Sequence, residues 1–398
     1  MTTPLLSLLI PTKDRYETLA TVVGEIASWV ADERLEIVIC DNSAQPDAEA
    51  VQRITGADRR ISYSHSYDEM SIVENTERGI GLCRGKYLCF IGDDDLVSPH
   101  IMAIVDWLDR QGGDCLIYTP ARYWWRSVTF AHESKSQQPG AFWLPRKRDG
   151  AVKQHDSAAE LEAVFKRGGV AYGNLPRLYH GIASQAAVQR VVDRFGRLVP
   201  GSSPDMALCL ALALTTPHYL SIDYPVTVFG ASRNSGGGLT AARRHYGRIE
   251  DQRMLPRDIL DNWDPHLPRI FSEQVIYPQT IHEVLSRARM ANPISFPTMY
   301  ASLIVYEPHI LPHLLPALGR YLAGKPARSI PLMIQLVLKT GGRLRTWLRG
   351  KNGYDLPFDL AVLLDPASVM VALGELPVPA TVTHGRGSPP PSEQALRA

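Results

Sequence analysis

Tyr87-Leu88-Cys89-Phe90-Ile91-Gly92-Asp93-Asp94-Asp95 decides the reading of this chain. An apolar run passes through one glycine into three consecutive acids. A short apolar run of this kind reads as a buried strand. Three adjacent like charges repel, so the cluster needs water or a cation around it. A divalent metal held at a strand end is one way to grip a diphosphate.

Outward from this stretch, strand and helix alternate over the first 125 residues. Leu5 to Ile10 reads as a strand, and Glu17 to Trp29 follows with helical spacing of Leu19, Val22, Val23 and Ile26. Leu35 to Cys40 is a second strand, Asp47 to Ile54 a short helix, and Ile61 to Ser66 an alternating, half-buried strand. Ser71-Ile72-Val73-Glu74 has the spacing of a capping box and opens a helix toward Arg84. After the acids come a helix over Pro99 to Arg110 and a strand over Cys115 to Thr119. Such alternation predicts an α/β fold, a mostly parallel sheet with helices on both faces. In open parallel sheets ligands bind outside the carboxyl ends of the strands. Thr12 and Asp14 follow the first strand, Asp41 and Asn42 the second, and Asp93, Asp94 and Asp95 the fourth. The topology therefore gathers dispersed residues on one edge.

The alternation stops at residue 126. Residues 126 to 156 are polar and basic, with Pro139 and Pro145, and read as an excursion that could cover the site. Helices resume at Ser157 to Arg167, within Gly181 to Phe195, and at Asp205 to Leu214. A Gly/Ser stretch, Ser232 to Gly238, precedes Arg243, Arg244 and His245. The expected division is a first domain over 1–248, a mainly helical C-terminal region over 249–375, and a disordered tail over 376–398. Between Glu307 and Asp355 every charged side chain other than histidine is basic, with Leu344, Trp347 and Leu348 interleaved. That segment reads either as a surface for anionic lipid headgroups or as a solvated basic face, with a homodimer contact as a variant of the second.

A net charge of +1 over 398 residues gives no reason to expect nucleic acid as a partner. Cys40, Cys83, Cys89, Cys115 and Cys209 show no paired spacing, which argues against a disulfide framework or zinc site and favours a reducing compartment. The N-terminal apolar run lacks a basic flank, and no apolar stretch reaches the roughly 18–20 residues of a membrane span. The expected location is the cytoplasm, including the inner face of its membrane.

Taken as an ordered set, Leu9-Ile10-Pro11-Thr12-Lys13-Asp14-Arg15, Cys40-Asp41-Asn42-Ser43, Glu74-Asn75 and Phe90 to Asp95 with Ser98-Pro99 resemble family 2 glycosyltransferases of the GT-A fold. The resemblance covers roughly the first 125 residues. It implies a Rossmann-like sheet and an inverting sugar transfer from a nucleotide-diphospho-sugar to a glycan or lipid-linked acceptor, in cell-surface polysaccharide or lipopolysaccharide synthesis. It implies Mn2+ or Mg2+ at the acid triplet, with Asp94 and Asp95 as ligands and Asp93 toward the donor. Pro11, Thr12, Asp14 and Asp41 would line the nucleotide pocket. Asp41 is also good turn chemistry. Asn75 would orient a ribose or phosphate, or else serve packing. Ser203-Pro204-Asp205 resembles the segment carrying the catalytic base, so Asp205 is the expected base; an acid in a helix's first turn is also favoured by the dipole. His245 is either a further metal ligand or part of a surface basic cluster.

Other classes fit less well. A catalytically silent binding scaffold leaves the retained acids unexplained. A nucleotidyltransferase wants a glycine-rich loop after the first strand, and Pro11 to Arg15 contains no glycine. A phosphatase with an aspartate nucleophile would more naturally place its acids after the first strand than after the fourth.

Overall fold

The computed structural model describes residues 3–351 and 357–384. Alternation holds from the start: β1 (Leu6–Thr12), α1 (Tyr16–Trp29), β2 (Leu35–Asp41), α2 (Ala48–Ala57), β3 (Ile61–His65), α3 (Ile72–Leu82) and β4 (Tyr87–Phe90). The middle of the chain adds β5 (Leu96–Val97), α4 (Ile101–Arg110), β6 (Cys115–Tyr118), β7 (Ala121–Trp124), β8 (Ala141–Pro145), β9 (Val152–Asp156) and α5 (Ser157–Lys166). There follow β10 (Gly181–Ser184), α6 (Gln185–Phe195), α7 (Pro204–Thr215), β11 (His218–Ile222), β12 (Thr227–Ala231) and α8 (Gly236–Ala241). The last part holds α9 (Glu273–Arg287), α10 (Phe296–Tyr306), α11 (Leu311–Leu322), α12 (Ser329–Lys351), β13 (Phe358–Val362), α13 (Pro366–Gly374) and α14 (Ala380–His384).

Eight strands form the main sheet in the order β3-β2-β1-β4-β10-β6-β11-β9. The first four are parallel, with Leu8 opposite both Ile37 and Cys89. β10 inserts antiparallel between β4 and β6, and β9 closes the far edge antiparallel to β11. This is the mostly parallel α/β sheet that the alternation predicts. Strand side chains alternate between faces. Leu6, Leu8 and Ile10 enter one core with Leu19, Val22 and Ile26 of α1, while Leu9 enters the opposite core with Ile80 of α3 and Met206 and Leu210 of α7. The capping box forms as expected, with the Ser71 hydroxyl accepting from the Glu74 N–H and the Glu74 carboxylate accepting from the Ser71 N–H.

Three features differ from the sequence reading. Residues 126–156 are partly built into sheets: β8 pairs with β7 in a second, five-stranded sheet of order β13-β8-β7-β12-β5, and β9 joins the main one. The buried Phe142 gives β8 a core anchor that the charged residues around it conceal. β10 was hidden within Gly181 to Phe195 because Gly-Ile-Ala-Ser is too short to show a period. The tail expected to be disordered from residue 376 packs as far as His384; its remainder lies outside the described residues. Val382 is buried against the first core and the Thr381 hydroxyl donates to the Gly150 carbonyl at 2.8 Å. α13 likewise returns to the first core through Val369, Met370 and Leu373. Between these, α9 to α12 form the expected helical region around their own cluster of Met299, Tyr300, Leu303, Leu314 and Leu332.

Candidate active site

The acids of the triplet sit on one tight turn and have three different surroundings. Asp95 is committed to structure. Its Oδ2 accepts from the Gly92 N–H at 2.6 Å and from the Tyr179 hydroxyl at 3.2 Å, and its Oδ1 accepts from the Gly230 N–H at 2.6 Å. His180 Nε2 lies 3.0 Å from Oδ2, with His180 Nδ1 in turn 2.7 Å from the Thr227 hydroxyl. The expected metal ligand Asp95 is therefore the post that ties the acid turn to β12.

That tie depends on glycine. A Cβ at Gly230 would stand 1.7 Å from the Asp94 carbonyl oxygen, an impossible approach for any other residue. Gly92 is tighter than usual as well, since a Cβ there would lie 3.1 Å from Asp95 Oδ2.

Asp94 and Asp93 face a cation. Asp94 Oδ2 accepts from the Ser232 N–H at 2.7 Å, and its Oδ1 lies 3.7 Å from Arg15 Nη1. Asp93 Oδ2 accepts from the Thr12 hydroxyl at 2.5 Å, and its Oδ1 pairs with Arg15 Nη2 at 2.7 Å. Burial pushes the Asp93 carboxyl up to about 7 despite Arg15, with Asp94 adding to the rise. Burial raises Asp94 too, against the pull of Arg15. One guanidinium thus answers two acids that burial makes costly to ionise.

Around this turn, β1 and β2 place the expected nucleotide residues. Pro11 and Thr12 end β1, opposite Cys40 and Asp41 of β2. Asp14 is exposed and takes the left-handed conformation (φ 57°), which Asp and Asn tolerate best among residues with a side chain. Its N–H donates to the Ser43 hydroxyl at 2.7 Å, so its backbone fixes the loop. Asp41 is buried and saturated. Oδ1 accepts from the Ser43 N–H at 2.7 Å and the Ser43 hydroxyl at 2.6 Å; Oδ2 accepts from the hydroxyls of Tyr16 and Tyr63. Burial alone would raise its pKa, but these bonds outweigh burial and hold it below the usual range. Asn75 is also internal: its amide donates to the Cys40 carbonyl at 3.0 Å and accepts from Arg78 at 3.0 Å, joining α3 to β2.

Asp205 stands in the first turn of α7, and its carboxylate makes no hydrogen bond among the described residues. Burial, then Glu273 and Asp95, push its pKa up to about 7. It is partly open to solvent. Tyr172, Tyr179 and Tyr277 stand in its field, and burial raises all three phenols. Glu273 is a second acid near Asp205; its surface is exposed, and the atoms crowded around it raise its pKa while Tyr277 and Arg122 oppose the rise. Arg122 itself lies over the Trp143 and Phe229 rings, 5.8 Å from each centroid.

His245 is drawn elsewhere. Its Nδ1 lies 3.1 Å from the Thr240 hydroxyl and its ring meets Phe271 edge-on; burial lowers its pKa. Among the described residues, no three His, Cys, Asp or Glu side chains stand close enough to hold a metal ion together. A cavity of about 1220 Å³ opens nearby, between the start of α3, Ser202 and α9, with Glu74, Arg197, Arg257 and Arg287 on its walls. Its lining includes neither the acid triplet nor Asp205.

The sequence reading thus brought together Thr12, Asp93 and Asp94, with Asp205 close enough to Asp95 to feel its charge. It assigned no role to Arg15, although Arg15 ends the first motif. It also missed Tyr16, Tyr63, His180, Arg122 and Glu273, none of which lies in a recognisable pattern.

Residues 7–159 match the family model described as Glycosyl transferase family 2. No curated protein matches. Among solved structures, S. aureus TarS is 11% identical with a TM-score of 0.40, over 57% of this chain and 37% of that one. The 1–349 portion of S. aureus TarS in complex with UDP-GlcNAc is 13% identical with a TM-score of 0.43, over 91% of this chain and 97% of that one. The same portion in complex with UDP gives 9% and 0.40 over the same shares. This chain therefore spans little more than a third of the longer TarS chain, and similarity at this level assigns no residue.

Proposed function

We propose, from the match of residues 7–159 to the model described as Glycosyl transferase family 2, that this chain moves a sugar, of hexosyl type, from a nucleotide-diphospho-sugar to the hydroxyl of a glycan or lipid-linked acceptor. The pathway we assign is cell-surface polysaccharide or lipopolysaccharide synthesis. The observation that carries the reading is the meeting of two unlike acid sites at one sheet edge. Asp93 and Asp94 are focused on a cation, whereas Asp205 makes no hydrogen bond among the described residues and is raised to about 7.

The first site suits the donor. Asp93 Oδ1 and Asp94 Oδ1 both point toward Arg15, so hard oxygen ligands already converge on positive charge. Asp93 and Asp94 would hold Mn2+ or Mg2+; Asp95, with both oxygens used, and His245, with Thr240 and Phe271 as neighbours, would not. When bound, the ion would offset the charge on the departing diphosphate. Arg15 would then be released to pair with phosphate oxygens, which guanidinium recognises well.

The second site suits the acceptor. The acceptor oxygen attacks the anomeric carbon as the bond from that carbon to the diphosphate oxygen breaks on the opposite face. The hydroxyl proton passes to the Asp205 carboxylate. A base with a pKa near the working pH is matched to that transfer. The transition state is oxocarbenium-like, as in glycoside hydrolysis. The decisive experiment is Asp205→Asn: donor binding by calorimetry is expected to persist while transfer stops. Unchanged turnover would remove Asp205 from the mechanism.

A further inference from the structure

Helix α12 carries an apolar stripe that nothing in the described residues covers. Ile330, Met333, Ile334, Val337, Leu338 and Leu344 recur at helical spacing and are 54% to 68% exposed. At 100° per residue they fall within an arc of about 140°, which Leu348 continues. The opposite side is the packed one: Leu332 and Leu336 join the cluster of α10 and α11, and Arg343 donates to the Val305 carbonyl. The helix therefore has one face for the protein and one face left over.

Charge says what the second face meets. From Glu307 to Asp355 the chain contains eight Lys and Arg residues and no acid between those two ends. The rest of the chain is net acidic, with 34 basic against 41 acidic residues, so positive charge is concentrated in this segment. Two copies facing each other through α12 would bring two uncompensated basic segments together. A surface with apolar depth and anionic headgroups satisfies both features at once. No helix among the described residues is long and apolar enough to cross a membrane, so the contact lies in the interface plane.

We propose that α12 docks the protein flat on an anionic lipid surface through its Ile330–Leu344 stripe, with the surrounding Lys and Arg residues at headgroup level. This inference is independent of the transferase reading, because its test needs no donor.

The test is flotation of the full chain with phosphatidylcholine vesicles, with and without phosphatidylglycerol. Binding is expected only with phosphatidylglycerol, and to weaken as salt rises. The Ile334→Glu/Leu338→Glu double variant alters exposed positions only. It should keep the native circular dichroism and melting profile and bind at least about tenfold more weakly. Equal binding to neutral vesicles, or undiminished binding by the double variant, would overturn the proposal. So would absence of vesicle binding together with a dimer in solution that the double variant splits, which would make a second copy the occupant.

Discussion

Arg15 Nη2 stands 2.7 Å from Asp93 Oδ1 at the end of β4. Among the described residues it is the cation that meets Asp93 and Asp94, while His180 serves Asp95. Removing one partner of a buried pair leaves the other charge unanswered. Arg15→Ala should lower stability in metal-free buffer by about 3 kcal/mol. Mn2+ should recover part of that loss, because the freed acids gain a replacement cation. Urea melts with and without Mn2+ check this, and a variant as stable as the parent would show that the pair contributes nothing.

Asp95 and Asp94 should fail differently. Asp95→Ala strips the Gly92 and Gly230 N–H groups and His180 of their acceptor, so it should cost about 3–5 kcal/mol of stability. Asp94→Asn retains an oxygen for the Ser232 N–H and should change the melt little while losing metal-linked donor binding. Gly230→Ala should damage the turn as Asp95→Ala does, since its methyl would collide with the Asp94 carbonyl. Differential scanning fluorimetry separates the two classes.

Asp205 gives the pH dependence. Its folded pKa of about 7 lies above the unfolded value near 3.8. The catalytic form is the ionised one, so kcat/KM should rise about tenfold per pH unit below 7 and level off above it. The stability sign is opposite. A raised carboxyl favours the folded state most when protonated, below the unfolded pKa, and that advantage is lost as pH rises through 7. Asp205→Asn should therefore melt higher than the parent at pH 8 and lose that advantage by pH 4. A variant with the same difference at both pH values would place the effect outside ionisation.

Asp41 offers a cleaner separation of framework from recognition. Tyr63→Phe removes one of its four hydrogen bonds and frees a lone pair on Oδ2. Asp41→Asn instead removes the charge. If Asp41 contacts the nucleotide, nucleoside diphosphate affinity should fall about tenfold in Asp41→Asn, in keeping with a charged hydrogen bond, and hold in Tyr63→Phe. Equal affinities in both variants, read by calorimetry, would leave Asp41 as a loop-forming residue only.

The parallel half of the sheet was legible because β1, β2 and β4 are mostly apolar runs and the helices between them carry an apolar stripe. The acid turn was legible for the same reason, since three acids after a buried strand have few explanations. What chain-local reading could not see was the return of β12 onto that turn. The Gly230 and Ser232 N–H groups reach Asp95 and Asp94 across more than a hundred residues, and no spacing records such a contact. The same blindness hid His180 and the hydrogen bonds that tie Asp95 to β12. At the other end, Pro and Gly in the tail suggested disorder, while Val382 had a buried place against the first core.

The central claim is that this edge grips a nucleotide-diphospho-sugar through Asp93 and Asp94. Titration calorimetry of the chain with UDP-, GDP- and dTDP-sugars, each with and without Mn2+, tests it most directly. At least one donor should bind in an Mn2+-dependent manner, with binding lost in Asp94→Ala and kept in Asp205→Asn. Failure of every donor to bind, or binding that Asp94→Ala leaves intact, would contradict it.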